Sequence, residues 1–272
     1  MSKKIAFFVL SIIVAILAGC AGTNPDVMLH RNMAEDAMIT GDSRAAMSHI
    51  DYAVDACEDD TTCERGIFRW MLDFASNRNN DFFRAKAYER IALSSLESYS
   101  SDENNSEELD IAKEIATVYI EWADSLRQNR GDLFPLPDAL ILGAEVNRFD
   151  RPDSALDFVG WVFRIGLEFE KGEIPQHLRI AIGMGKSIID GIGAEMNSRM
   201  SDGAASIDSG ENAVDDLIYA FRASAALGNA AIASNSATLL SGFYNKKGDL
   251  ESASKWGSAA LKWKGEEIHG EE

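Results

Sequence analysis

Apolar residues recur at steps of three and four positions through most of the chain after residue 24, which places them on one face of an α-helix. Alternating runs of apolar and polar residues, the pattern of half-buried strands, are missing. Prolines and clusters of Ser, Asp, Asn and Gly interrupt the helical pattern and mark helix ends. Eleven helices are predicted, over residues 25–40, 43–57, 63–78, 81–98, 106–129, 138–148, 152–171, 175–199, 211–227, 230–246 and 249–264. The predicted fold class is therefore all-α.

The start of the chain does not follow this pattern. Lys3 and Lys4 form a short basic segment, and a run without charge follows from Ile5 to Leu17. A membrane-spanning helix needs about 20 apolar residues, so this shorter run is typical of the core of a signal peptide. The alternative is an ordinary signal peptide, or a membrane anchor, that contains a cysteine by chance.

The run ends in Leu17-Ala18-Gly19-Cys20, which resembles the lipobox of bacterial lipoproteins. The resemblance implies that residues 1–19 are removed, that Cys20 carries diacylglycerol on its sulfur, and that its new amino group is acylated. Two or three acyl chains give lasting membrane attachment, because each buried methylene contributes about 0.8 kcal/mol. Ala21 follows instead of Asp, and enterobacterial sorting rules then imply the periplasmic face of the outer membrane. Residues 20–26 are predicted to be the lipidated tether.

The chain is strongly acidic, with 44 Asp and Glu against 26 Lys and Arg and a formal net charge of −18. Such a field excludes nucleic-acid binding through overall charge and repels anionic lipid. A partner protein is therefore predicted to offer a basic or neutral surface. The alternative is that the acidity only keeps the chain soluble. Residues 266–272 are predicted to be an acidic tail.

Cys57 and Cys63 remain once Cys20 carries lipid. An even remainder in an oxidising compartment predicts a disulfide, here closing a loop between two helices. A redox or metal pair is the alternative, but five intervening residues do not match the CxxC spacing and no histidine is close. The acidic residues of this loop lack the alternation and the glycine of a calcium-binding loop. We predict no metal site here.

Residues 240–261 resemble a tetratricopeptide repeat. The positions of the family pattern are occupied by Leu240, Ser241, Tyr244, Gly248, Ala253, Gly257, Ala260 and Leu261. The same register fits residues 33–53 and 142–162, and more weakly 72–92, while residues 225–231 resemble the linker between Sel1-like repeats. The resemblance implies an irregular solenoid of helical hairpins over residues 27–265. Its packing positions are predicted to be Ala34, Gly41, Ala46, Gly143, Ala155, Tyr244, Gly248, Ala253 and Ala260.

The spacing has a physical cause, because two antiparallel helices approach most closely where their side chains are small. Ser241 and Ala253 are expected to meet at such a point, and Gly248 supplies the turn, where a positive φ costs glycine nothing. Two departures from the family pattern are the long helix 175–199 and the missing tryptophan near each repeat start. The alternative is an alanine-rich helical bundle in which these spacings arise by chance.

No catalytic constellation is found in the sequence. The four histidines have no metal-ligand spacing, and the segment Gly183 to Ser187 lacks the glycine that a phosphate loop needs at the position of Ile180. We therefore predict no catalytic residue, no cofactor and no enzymatic activity. Most of the five tryptophans are predicted to pack in the core, although some are candidates for lining a groove. Three arginines on predicted helices, Arg164, Arg179 and Arg222, are candidates for binding a partner carboxylate, although solvated positions are favoured.

The expected function is that of a membrane-anchored scaffold or assembly factor, which presents a groove to another envelope protein. Outer-membrane lipoproteins with similar repeats serve in β-barrel assembly, secretin assembly and peptidoglycan-synthase activation, and this step is an analogy of fold. A small-molecule-binding helper of a transporter is the first alternative, with close packing at Gly183, Gly185, Gly191 and Gly193. A cell-wall enzyme is the second. A closed pocket would favour the small-molecule site, and an open groove the scaffold.

Overall fold

The computed structural model describes residues 24–101, 105–169, 173–207 and 212–269, and side chains up to residue 265. In these ranges the chain forms helices joined by short turns, and no strand occurs in them. The helices are α1 (Pro25–Thr40), α2 (Ser43–Asp55), α3 (Thr61–Asn77), α4 (Asp81–Ser101), α5 (Ser106–Arg130), α6 (Leu136–Asn147), α7 (Pro152–Leu167), α8 (Gln176–Ser206), α9 (Asn212–Leu227), α10 (Ala230–Lys247) and α11 (Leu250–His269). The all-α prediction is confirmed.

Side chains at the helix ends explain why most boundaries fall near their predicted positions. The side chains of Asn24, Asp42 and Asn229 accept hydrogen bonds from backbone N–H groups in the first turns of α1, α2 and α10. These bonds satisfy donors that have no partner within the helix. Gly41 and Gly248 end α1 and α10 in the left-handed region, with φ of 82° and 81°. Such signals are local and therefore visible in a sequence.

Several predicted boundaries differ from the structure by two to seven residues, and α3 and α8 are two helices that are longer than expected. Cys63 lies inside α3, because the Asp60 carboxylate accepts from the N–H groups of Thr62 and Cys63 and starts the helix at Thr61. Helix α8 runs to Ser206, although residues 201–206 have the composition of a loop. Gly203 is buried there, and a Cβ at this position would lie 2.8 Å from Leu217 Cγ. Close packing on α9 therefore keeps this polar segment helical.

The chain divides into two compact units, one ending at Glu108 and one beginning at Leu109. In the first unit α1 packs on α2, α2 on α3, and α3 on α4. Its core contains the fully buried side chains of Ile50, Ile67, Phe68, Met71 and Phe83.

In the second unit each helix from α6 to α10 packs on the next one in the sequence. Helix α6 also contacts α8, α7 contacts α9, and α8 contacts α10. Glycines permit two of the closest approaches: a Cβ at Gly143 would lie 2.7 Å from Ile120 Cδ1, and one at Gly185 would lie 3.0 Å from Val159 Cγ1. Gly183 and Gly193 have no such neighbour, so only part of the glycine-rich segment of α8 serves close packing.

No helix in the described part of the chain is long and apolar enough to cross a membrane. The predicted signal peptide and Cys20 lie outside the described residues.

Candidate functional site

The residues predicted to pack between repeats occupy three kinds of position. Ala34, Ala46 and Ala155 are completely buried, and Gly143, Ala253 and Ala260 are buried as well. Gly41 and Gly248 form the left-handed ends of α1 and α10. Tyr244 is half-buried on α10 and lines a surface groove described below.

Helices α10 and α11 form a close antiparallel hairpin around small residues. The Ser241 hydroxyl donates to the backbone carbonyl of Ala253 at 2.7 Å, and the Ser234 hydroxyl donates to that of Ala260 at 3.2 Å. A side chain as short as serine reaches a carbonyl of the neighbouring helix only where the two backbones lie close together. Ser241 and Ala253, which the repeat register places opposite each other, do meet.

An open groove of about 480 Å³ lies beside this hairpin, and we call it the α9/α11 groove. Its lining comes from three helices: Ile218, Phe221 and Arg222 on α9, Tyr244 on α10, and Ser252, Lys255, Trp256 and Ala259 on α11. The α9 residues are spaced i, i+3, i+4 and the α11 residues i, i+3, i+4, i+7, so each set forms one stripe along its helix. The groove therefore lies between two facing stripes.

The floor of the groove is aromatic. The rings of Phe221 and Trp256 meet edge to face with their centroids 5.1 Å apart, and both side chains remain half-buried. Edge-to-face contact is the preferred arrangement of two aromatic rings, because the positive edge of one meets the negative face of the other. Half-buried aromatic side chains in a concave surface are typical of sites that a partner covers.

Each stripe also carries a cation next to its aromatic residue in the sequence. Arg222 follows Phe221, Lys255 precedes Trp256, and both cations are exposed. The Arg222 Nη1 donates to the backbone carbonyl of Asp150 at 3.2 Å, which fixes one side of the guanidinium. Neither cation forms an ion pair with a carboxylate of the residues described. The groove thus combines an apolar floor with two available positive charges.

The charge around the groove differs in sign from that of the whole chain. Residues 230–265 contain five lysines and only two carboxylates, whereas the chain as a whole has a net charge of −18. A local excess of one sign attracts the opposite charge within about 10 Å, the screening length at moderate ionic strength. Residues 230–265 are therefore a basic stretch of an acidic chain, and Glu266 and Glu267 follow this stretch at the end of α11.

No family model, no curated protein and no solved structure matches this chain.

A second depression, of about 450 Å³, lies beside Cys57 in the first unit. The sulfur atoms of Cys57 and Cys63 lie 2.06 Å apart, at disulfide distance. Acidic side chains line this depression: Asp55, Glu58, Asp59, Asp60 and Glu64. Burial, and next the nearby charge of Glu97, raise the pKa of Glu64, while a hydrogen bond from Ser94 opposes the shift. In the described ranges no three His, Cys, Asp or Glu side chains converge as a metal site would require.

The three histidines whose side chains are described take part in ring packing. His30 and His49 face each other across α1 and α2 with their Nδ1 atoms 3.4 Å apart, and the Tyr52 ring packs on His30. In the second unit, His177 packs edge to face against Phe134. These contacts are those of structural side chains at half-buried positions.

Part of the groove lining could be anticipated from the sequence. Arg222 is one of three candidate arginines and Trp256 one of five tryptophans, but the sequence does not single out either residue, and Arg164 and Arg179 do not line the groove. The steps of three and four residues along each stripe are visible in the sequence. Phe221, Ser252 and Lys255 were missed, because nothing in the sequence shows that α9 and α11 face each other across α10.

Proposed function

We propose that this protein is a lipid-anchored, non-enzymatic scaffold or assembly factor of the bacterial cell envelope, which binds a partner protein in the α9/α11 groove. The groove is the observation that carries the proposal. It is open, its cations are exposed, and its aromatic side chains are half-buried. Sites for small molecules enclose most of the ligand surface, whereas an open groove accommodates a segment of a larger chain.

The proposed anchor is lipid on Cys20, supported by the resemblance of Leu17-Ala18-Gly19-Cys20 to a lipobox. Helix α1 begins at Pro25, and five residues span at most about 18 Å, so α1 would start near the membrane surface. The outer face of α1 carries exposed apolar side chains at Met28, Leu29, Met33 and Ile39. Apolar side chains next to an acylated residue suit the interface between headgroups and acyl chains.

The proposed architecture of the second unit is an irregular array of tetratricopeptide-like hairpins. The contacts of α6 with α8, α7 with α9 and α8 with α10 support it, because stacked hairpins bring every second helix together. The hydrogen bond from Ser241 to Ala253 supports it as well. Helix α8, with 31 residues, is longer than a repeat helix and makes the array irregular.

Site-specific photocrosslinking in cells tests the scaffold function. A benzophenone amino acid is placed at Ala259, which lines the groove, or at Ser258, its exposed neighbour on another face of α11. We expect a discrete protein adduct from position 259 and not from 258, identified by mass spectrometry. Equal labelling from both positions, or no adduct from either, contradicts the proposal.

Metabolic labelling with palmitate tests the anchor separately. We expect label in the wild-type protein and none in Cys20→Ser, together with release of the variant from the membrane fraction. The adduct from position 259 should also weaken in Cys20→Ser, because the anchor keeps the protein near its partner. Absence of label in the wild-type protein contradicts lipidation and leaves the groove to be tested by the crosslinking alone.

A further inference from the structure

We infer that the α9/α11 groove binds an extended segment of the partner protein in which acidic side chains lie next to an aromatic or aliphatic one. This inference rests on the proposed scaffold function and names the chemistry of the partner. Its evidence is the pairing of a cation with an aromatic side chain on each of the two stripes and the excess of lysines in residues 230–265.

The apolar part of the segment would cover the aromatic floor. Phe221, Tyr244 and Trp256 are each half-buried, and Ile218 and Ala259 complete the apolar lining. A volume of about 480 Å³ is enough for only a few side chains. Aromatic anchors of this kind gain most when an apolar side chain excludes water from them.

The acidic part of the segment would bind the two cations. Arg222 is held from one side by the carbonyl of Asp150, which leaves its other N–H groups for a carboxylate. A guanidinium binds carboxylates through paired hydrogen bonds, and Lys255 adds a charge on the opposite stripe. Because the cations belong to different helices, a segment with acidic side chains at more than one position fits better than a single carboxylate.

Helix α11 repeats its cation and aromatic pair further along. Lys262 and Trp263 follow Lys255 and Trp256 by seven residues, which is close to two helical turns and keeps them near the same face. The Lys262 ammonium lies 5.6 Å from the centroid of the Trp263 ring. The stripe therefore continues for about 6 Å beyond Ala259, the last residue of α11 in the groove lining, and this extension favours an extended segment over a compact ligand.

The field of the protein directs an acidic segment to this place. The chain has a net charge of −18, so an acidic partner is repelled from most of it, whereas residues 230–265 contain five lysines and two carboxylates. Repulsion elsewhere and attraction at one hairpin give orientation and specificity.

Peptide selection tests the chemistry directly. Random dodecapeptides displayed on phage are selected on the mature chain carrying Cys20→Ser, and the enriched sequences are compared with the unselected library. We expect enrichment of Asp or Glu next to Trp, Phe, Leu or Ile. Enrichment without an acidic bias, enrichment of basic peptides, or no enrichment overturns the inference.

Variants then assign the enriched peptides to the groove. Arg222→Gln combined with Lys255→Gln is expected to raise the Kd of the best amidated peptide at least tenfold in fluorescence anisotropy, because the variant loses the charge-assisted hydrogen bonds of both cations. Lys246→Gln combined with Lys264→Gln removes the same charge outside the groove lining and should have a much smaller effect. Equal loss in both double variants overturns the inference.

Two further measurements distinguish the ways in which the inference could fail. The single variant Lys255→Gln leaves the hydrogen bond between Arg222 and the Asp150 carbonyl intact. Weaker peptide binding by this variant therefore cannot come from a structural change at that bond. Replacing Asp by Asn and Glu by Gln in the peptide should also weaken binding at least tenfold. If crosslinking from position 259 captures a partner but the selected peptides are not acidic, the scaffold function stands and the inferred chemistry is wrong.

Discussion

The Tyr219 hydroxyl donates a hydrogen bond to the backbone carbonyl of Arg148 at 2.9 Å. Tyr219 lies on α9 with 3% of its surface exposed, and Arg148 follows the last residue of α6. The Arg199 guanidinium lies over the Tyr219 ring, 4.3 Å from its centroid. Burial raises the pKa of Tyr219 to about 12, so this phenol stays protonated where an unfolded tyrosine ionises. The bond ties the helix that forms one side of the groove to the end of α6.

The free energy of unfolding should therefore depend on pH through Tyr219. Between about pH 10 and about pH 12 the folded protein keeps this proton and the unfolded chain loses it, so the stability contributed by Tyr219 falls by about 1.4 kcal/mol per pH unit. Below about pH 10 the contribution is fully present. Urea unfolding at steps of about one pH unit should show the wild-type advantage over Tyr219→Phe shrinking in this window. Exposed Tyr52→Phe is the control, and a constant difference for Tyr219→Phe would contradict the argument.

The Arg65–Glu108 pair should contribute more to stability than an exposed ion pair. Arg65 Nη1 and Nη2 donate to the two Glu108 carboxylate oxygens at 3.0 and 2.7 Å, and only 14% and 16% of the two side chains are exposed. Glu108→Gln leaves a largely buried guanidinium without its counter-charge, and we expect a loss of about 1.5–3 kcal/mol.

The matched control is Asp51→Asn, which breaks the exposed pair between Asp51 and Arg90. Its expected cost is about 1 kcal/mol or less, because water screens both charges. The two variants are compared by chemical denaturation. Similar losses in the free energy of unfolding would show that burial of the Arg65–Glu108 pair does not increase its contribution to stability.

Gly143 should tolerate a methyl group less well than Gly160. A Cβ at Gly143 would lie 2.7 Å from Ile120 Cδ1 and 3.2 Å from the Phe158 ring, whereas one at Gly160 meets nothing within 4 Å. We expect Gly143→Ala to lower stability by about 1–3 kcal/mol through overpacking, and Gly160→Ala to raise it by about 0.5–1 kcal/mol through helix propensity.

Removing the Ile120 Cδ1 atom tests the cause of that loss. In an Ile120→Val background the cost of Gly143→Ala should fall, since the nearest clash is gone, and thermal unfolding of the four proteins gives the coupling energy. If Gly143→Ala lowers stability by the same amount in the Ile120→Val background, contact with Ile120 Cδ1 is not the cause of the loss.

The cysteine pair should stabilise the turn between α2 and α3. The cysteines are six positions apart, and the chain-entropy relation gives roughly 2–2.5 kcal/mol for a loop of this length. Cys57→Ser combined with Cys63→Ser should lower the free energy of unfolding by about this amount, and a reducing agent should lower that of the wild-type protein alone. Reduction that leaves wild-type stability unchanged would contradict a structural role for the pair.

The helical content and most helix starts could be predicted because their causes are local. The Asp42 side chain caps the start of α2, and Gly41 ends α1 in a conformation that other residues rarely adopt. Residues 201–206 show the opposite case. Their serines, aspartate and glycine favour a loop, but packing of Gly203 on Leu217 makes the helix continue.

The sequence by itself determined the fold class, the approximate ends of the helices and the small residues at which α10 and α11 approach. These depend on side-chain periodicity and on hydrogen bonds within a few positions of one another. Only the tertiary structure decided which helices face each other, and so brought Phe221 and Arg222 of α9 opposite Lys255 and Trp256 of α11. Residues more than thirty positions apart become neighbours through the packing of the helices between them, and this packing is not encoded at either stripe alone.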